Sequence, residues 1–150
     1  MNDDLRTQVL AFLASYSTLV LATRSEAGQP LAAPLFFVAD EELTLYFVSG
    51  AKSRHSLNLS HENRAAAAVF AEAWDWGEIA GVQLEGHVAP VPPGPEWDRA
   101  WAMYVVKFPF VVAYHDEITR STFYRFTPDH LRWIDHRIAF GHTEEMAWTR

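Results

Sequence analysis

The strongest constraint on the fold is a succession of short aliphatic and β-branched runs, each of which ends at a tight polar turn. Thr18 to Thr23 (TLVLAT) precedes a turn at Glu26 to Gln29 and a returning run from Pro30 to Val38. A third run, Leu43 to Ser49 (LTLYFVS), follows the next turn. Short strands joined by tight turns are typical of an antiparallel sheet or barrel. The sequence therefore predicts a mainly β protein.

The second half of the chain continues this pattern. Three further β segments are predicted: a strand from Arg64 to Ala73, a long strand from Glu78 to Val91, and a closing hairpin whose arms, Thr122 to Phe126 and His130 to Asp135, surround a turn at Thr127-Pro128-Asp129. Gly81 and Gly86 in the long strand are candidate bulge positions, where a sheet can curl.

Helices are predicted at the flanks of the strands. Asp3 and Asp4 can cap a first helix to about Ser17. A short helix is predicted to about His61, and Glu96 to Lys107 (EWDRAWAMYVVK) has amphipathic spacing. Residues 1–150 contain no internal repeat, low-complexity tract or long linker, so we expect one domain, mainly β with flanking helices.

Composition narrows the function classes. The chain has no cysteine, which excludes disulfides and thiolate chemistry, and its formal net charge of −7 disfavours nucleic acid and anionic membranes. Its acidic start and lack of a long apolar run predict a soluble cytoplasmic protein. No two histidines lie four apart and no H-E-x-x-H pattern occurs, so no metal site is predicted.

The turn after the third strand carries the most chemical information. Gly50-Ala51-Lys52-Ser53-Arg54-His55 places three cationic or potentially cationic side chains beside a helix start. Positive charge, hydroxyls and free N–H groups are what a phosphate monoester needs. A solvated basic turn is the alternative. The segment lacks the Gly-Lys adjacency of a P-loop, and no G-x-G-x-x-G occurs.

The order of these segments resembles a known family. The segments LVLATRSEAGQPLAAPLFFV, LYFVSGAKSRHSLNLSHENRAAAAVF and GVQLEGHVAPV together resemble the split β-barrels that bind flavin mononucleotide (FMN) and are related to pyridoxamine 5'-phosphate oxidase. The resemblance covers about residues 5–148 and extends to the C-terminal WIDHRIAFGHTEEMAW. It implies an antiparallel split β-barrel and a homodimer with FMN at the subunit interface. A tryptophan-rich helix containing Trp97 and Trp101, if exposed, is consistent with that interface.

The resemblance also implies which residues contact FMN. Ser53, Arg54 and His55 stand where the family has a Ser-Arg-Lys-like triplet for the phosphate, with Lys52 just before them; the histidine contribution would weaken as pH rises through its pKa. The other implied contacts are Ser49 before the turn, Pro34, Leu35 and Phe36 along the ring edge, Gln83 on the long strand, and Trp133, Phe140 and Gly141 in a region that closes over the flavin. Gln83 as a surface residue and Trp133 as core packing are the alternatives.

Two departures separate the chain from a true pyridoxamine phosphate oxidase. Ala32-Ala33-Pro34 stands where the oxidases have a basic residue, and His136-Arg137-Ile138-Ala139 does not match their C-terminal Arg-x-His element. The resemblance thus implies an FMN-dependent oxidoreductase with an unassigned substrate and no assigned catalytic residue. The alternative is a non-catalytic flavin- or haem-binding module. A third possibility is a barrel that has lost its cofactor site and only mediates protein contacts.

Overall fold

The computed structural model describes residues 3–148. The helices are α1 (Asp3–Ser15), α2 (Arg54–His61), α3 (Pro95–Lys107) and α4 (His115–Arg120), with short 3-10 segments at Trp76–Glu78 and Pro109–Tyr114. The strands are β1 (Thr18–Arg24), β2 (Pro30–Phe36), β3 (Val38–Ala39), β4 (Leu45–Ser49), β5 (Arg64–Phe70), β6 (Ala80–Val91), β7 (Thr122–Asp135) and β8 (Thr143–Ala147). The prediction of a mainly β protein with flanking helices is confirmed.

The strands form a curled antiparallel sheet in the order β2-β1-β5-β6-β7-β4-β3, and β8 pairs with the second half of β7. Only Phe37, which is fully buried, separates β2 from β3 at the two ends of this order. The ends of the sheet therefore meet at Phe37. Beyond it, β2 and β4 share no hydrogen-bonded ladder. We call this gap between β2 and β4 the split.

The alternation of side chains gives the sheet an inner and an outer face. Leu19, Leu21, Val82 and Leu84 point inward and are buried, as period-2 alternation requires. Helix α1 closes this inner face with Leu5, Val9, Phe12 and Leu13. A second apolar cluster joins α3 and Val111 of the following 3-10 segment to strands β3, β4, β6 and β7. In the described residues no helix is both long and apolar enough to cross a membrane.

The predicted closing hairpin is wrong. Thr122 to Asp135 is one strand, β7, which pairs with β6 from Phe123 to Asp135. The register shifts at Glu85/Gly86, where Asp129 is the extra residue, so the Thr127-Pro128-Asp129 segment forms a bulge instead of a turn. The prediction of a bulge at Gly86 is confirmed. Gly81 shows no register shift, and its role is close packing against the Val69 carbonyl.

Other element boundaries also differ from the predictions. The run from Pro30 to Val38 is interrupted at Phe37, and the strand that was expected from Leu43 starts at Leu45 because Leu43 has a positive φ of 61°. Strand β8 was not predicted at all. Glu144 and Met146 are its more buried positions, and Trp148, just after the strand, is buried.

Candidate functional site

A compact hydroxyl–imidazole cluster supports the turn between β4 and α2. Ser53 is the N-cap of α2, and its Oγ accepts from the Ser56 N–H at 3.3 Å and donates to the Ser56 Oγ at 2.8 Å. The Ser53 hydroxyl also lies 3.0 Å from the Ser49 Oγ and 3.1 Å from His55 Nε2. Ser49 and His55 hydrogen-bond each other directly. The strand end is therefore tied to the helix start.

His55 belongs to the support of this turn and not to its exposed surface. Its side chain is buried, and the imidazole Nε2 interacts with two hydroxyl groups. Burial lowers the pKa of His55 below its ordinary value. The imidazole is therefore neutral at pH 7 and positions the turn through hydrogen bonds.

Lys52 and Arg54 lie on the opposite, exposed side of the same turn. In residues 3–148 neither side chain forms a hydrogen bond or an ion pair. The Ser56 and Leu57 N–H groups are taken by Ser53, so the first helical N–H groups, those of Arg54 and His55, are the open donors of the helix start. Two free cations beside open N–H groups suit an anion.

The predicted ring-edge strand lies across the split from this turn. The β3–β4 register pairs Val38 with Tyr46 and Ala39 with Leu45. Tyr104 of α3 spans the split here: its hydroxyl donates to the Phe36 carbonyl at 2.8 Å and also hydrogen-bonds the Val48 backbone. The Phe36 end of β2 is thus brought to the same gap as Val48, the neighbour of Ser49 in β4.

Gln83 lies on another part of the barrel. It points outward from the middle of β6, and three inter-strand spacings, about 14 Å, separate it from Pro34. Successive pairings place six residues in one row across the outer face: Pro34, Val20, Ala68, Gln83, Arg132 and Glu145. Gln83 and Pro34 of one chain therefore cannot both contact the same end of a ring.

The two predicted aromatic contacts are also separated. Trp133 is 2% exposed and packs edge-on against Phe12 at 5.2 Å, which is the core position that was the alternative for it. Phe140 is 74% exposed in the β7–β8 turn, where Gly141 has a φ of 76°. The ring of Phe140 lies 5.8 Å from that of Trp76. Phe140 is available to a second molecule, and Trp133 is not.

The tryptophans of α3 differ from their expected role. Trp97 and Trp101 are half-buried within their own chain, where Trp97 packs edge-on against Phe123 at 5.2 Å. Phe70, Trp74 and Trp76, at and after the end of β5, are more exposed than either of them. Any apolar contact surface of α3 is therefore smaller than the sequence suggested.

Sequence reasoning missed Ser56 and Tyr104. Ser56 could have been found from the S-x-x-S spacing of Ser53 and Ser56, which places a second hydroxyl one turn into the helix. Tyr104 reads only as one apolar position of an amphipathic helix, and its contact with Phe36 joins residues 68 apart in sequence.

In residues 3–148 no three His, Cys, Asp or Glu side chains converge as a metal site.

This strand order, with ends that meet at Phe37 and then part, defines a split β-barrel protein. The pyridoxamine 5'-phosphate oxidase family model matches residues 5–135. The chain therefore belongs to this family.

Solved structures share the fold. A haem-binding protein from Mycobacterium smegmatis is 21% identical, with a TM-score of 0.77 over 95% of this chain and 56% of that protein. HutZ, the haem storage protein from Vibrio cholerae, is 17% identical, with a TM-score of 0.72 over 81% of this chain and 88% of that one. Campylobacter jejuni ChuZ is 12% identical, with a TM-score of 0.82 over 98% and 61%. No curated protein matches the sequence.

Proposed function

We propose that this protein binds FMN at the split and uses it as an oxidoreductase. The observation that carries the proposal is the pair of exposed, unpaired cations, Lys52 and Arg54, on a turn whose other side is fixed by Ser49, Ser53 and His55. In a chain with a net charge of −7, this local positive charge would attract an anionic ligand. A ribityl phosphate fits that requirement.

The described residues fit the cofactor at two points, its phosphate and its ring. Lys52, Arg54 and the open N–H groups of α2 would hold the phosphate. Strand β2 ends the sheet order, so its outer edge, from Pro34 to Phe36, carries backbone groups outside any strand ladder. These groups would face the ring. FMN supplies hydride and electron transfer when bound, and the protein binds and orients it.

A second copy of the chain completes the proposed site. One copy holds the phosphate turn and β2 at the split, whereas Gln83 lies about 14 Å away on the outer face. The centre of that face carries small side chains, Ala22, Ala66 and Ala68, which permit close approach of another sheet. A homodimer that packs through this face would bring Gln83 and Phe140 of one copy toward the split of the other.

The phosphate contact is tested by comparing FMN with riboflavin, which lacks the phosphate. The paired change Lys52→Ala and Arg54→Ala should weaken FMN binding by about tenfold to hundredfold, the range for lost charge-assisted hydrogen bonds. Flavin fluorescence quenching measures both ligands. Riboflavin affinity should stay unchanged, and so should FMN affinity in Arg120→Ala, which removes an arginine on α4. Equal losses for both flavins, or no FMN uptake by the unmodified protein, would refute the proposal.

The dimer is tested at the centre of the outer face. Ala68→Glu places a charge among apolar neighbours and should yield a monomer in light-scattering measurements. Ala113→Glu, in the exposed 3-10 segment after α3, is the matched control and should stay dimeric. If Ala68→Glu remains a dimer with unchanged FMN affinity, the interface lies elsewhere.

A non-catalytic flavin- or haem-binding module is the second candidate, and the relatives from M. smegmatis and V. cholerae favour the haem version. Stopped-flow reduction with NADH and NADPH separates enzyme from module. Rapid reduction of bound FMN supports the oxidoreductase. A Soret band that titrates to one haem per chain, with FMN excluded, supports the haem module.

A further inference from the structure

A second cleft, unrelated to the split, lies between α1, β3 and α3. Its volume is about 510 Å³, within the range of small-molecule sites of about 300–1,000 Å³. Six apolar residues line it, namely Ala14, Val38, Ala39, Ala102, Met103 and Val106, together with Lys107. None of these residues belongs to the proposed FMN site. Val106 is 83% exposed at the rim, so the apolar wall is open to a ligand.

Lys107 is the one charged group among the lining residues. Its ammonium Nζ donates to the Leu13 carbonyl at 3.3 Å, near the C-terminal end of α1, and lies 3.9 Å from the centre of the Phe37 ring. Both contacts favour a cation. In residues 3–148 no carboxylate pairs with it. An ammonium has three donors, so the contact with Leu13 leaves donors without a protein acceptor.

An anion would stabilise the half-buried, unpaired ammonium of Lys107. Withdrawing a charge from water costs free energy unless an opposite charge compensates it. That cost is visible in the pKa of Lys107, which burial lowers to about 8. A carboxylate in the cleft would offset the cost, and a neutral or cationic ligand would not.

We propose that this cleft binds an amphiphilic monocarboxylate, with its carboxylate on the Lys107 ammonium and its alkyl chain along the apolar wall. The charge of Lys107 indicates the head group of the ligand, because one cation with free donors matches one carboxylate. The lining indicates that the rest of the ligand is apolar, because Val38, Met103 and Val106 offer no hydrogen-bonding side chain. Burial of each methylene group along this wall adds favourable free energy, so a medium alkyl chain suits the cleft.

Isothermal titration calorimetry with octanoate tests the proposal, and 1-octanol is the uncharged control. Octanoate should bind one per chain, and octanol should bind more weakly by about tenfold or more. Lys107→Met should weaken octanoate binding by about the same factor without changing octanol binding. Lys107→Arg should retain octanoate. If octanoate does not bind the unmodified protein, or if both ligands bind equally, the proposal is overturned.

Two further measurements guard against a variant that merely perturbs the fold. Ala102→Phe fills the cleft from an exposed position on α3 and should abolish octanoate binding while FMN binding persists. In the unmodified protein, octanoate affinity should fall by about tenfold or more between pH 7 and pH 9.5, because the lysine loses its proton. The lining has no other titratable group. A pH-independent affinity, or octanoate that only dissociates a dimer, would refute the carboxylate site.

Discussion

The Tyr104 hydroxyl donates a hydrogen bond to the Phe36 carbonyl at 2.8 Å, and this contact fixes β2 at the edge of the split. The same hydroxyl meets the Val48 backbone on the opposite strand. One side chain of α3 therefore bridges two strands that share no ladder. Burial raises the pKa of Tyr104, so the phenol stays protonated and can keep donating at physiological pH.

Removal of this bridge should loosen the split. Tyr104→Phe leaves the Phe36 carbonyl without its donor, and we expect the free energy of unfolding to fall by about 1–3 kcal/mol. Urea denaturation followed by circular dichroism measures it. Tyr114→Phe is the matched control because Tyr114 is exposed. Equal stability of the two variants would show that the bridge contributes nothing.

The bulge between β6 and β7 should tolerate only glycine at position 86. An added Cβ at Gly86 would lie 2.1 Å from the Thr127 carbonyl oxygen and 2.8 Å from the Pro128 Cα, both backbone atoms. Gly86→Ala should therefore destabilise the fold by about 2–4 kcal/mol. Thermal and urea unfolding check this. Gly77→Ala, whose new Cβ would come no closer than 3.8 Å to a neighbour, should cost much less.

Acid should weaken the β4–α2 turn through His55. Because the folded-state pKa lies below the ordinary value near 6.5, the unfolded chain binds the proton first as pH falls. The stability contributed by the neutral imidazole is thus complete above that value and is lost as pH falls through the lower folded pKa. Denaturation at pH 7.5 and pH 5 should show a steeper loss in the unmodified protein than in His55→Gln. The exposed His61→Gln control should follow the unmodified protein.

Alkali should act through Tyr46, at the base of α3. Its hydroxyl donates to Glu96 Oε2 at 2.9 Å, and Arg125 binds the other carboxylate oxygen. Burial and then Glu96 raise the pKa of Tyr46 to about 12, so stability is lost as pH rises from 10 through 12.

Glu96→Gln should lower the pKa of Tyr46 and reduce the free energy of unfolding by about 1–2 kcal/mol. The reduction is limited because Glu96 is partly exposed to solvent. Absorbance at the phenolate band during alkaline titration follows the change. A surface change, Glu117→Gln, should leave that titration curve unaltered. An unshifted curve in Glu96→Gln would contradict the role assigned to the carboxylate.

Local pattern was sufficient for most of the strands and for singling out the cationic turn between β4 and α2. Alternation of apolar and polar residues depends on neighbours along the chain, so β1, β6 and the end of α2 could be predicted close to their observed bounds. The cationic residues Lys52 and Arg54 stood out for the same reason. The family followed from the order of these segments.

Tertiary structure decided what distant residues do together. The Thr127-Pro128-Asp129 segment has turn composition, but pairing with Gly86 across the sheet makes it a bulge. His55 looked like a third phosphate cation, and burial beside Ser49 and Ser53 turned it into a neutral support. Lys107 ends an amphipathic helix in the sequence, and packing against α1 and β3 half-buries its ammonium. Burial and cross-strand register come from long-range contacts, and these the sequence pattern does not contain.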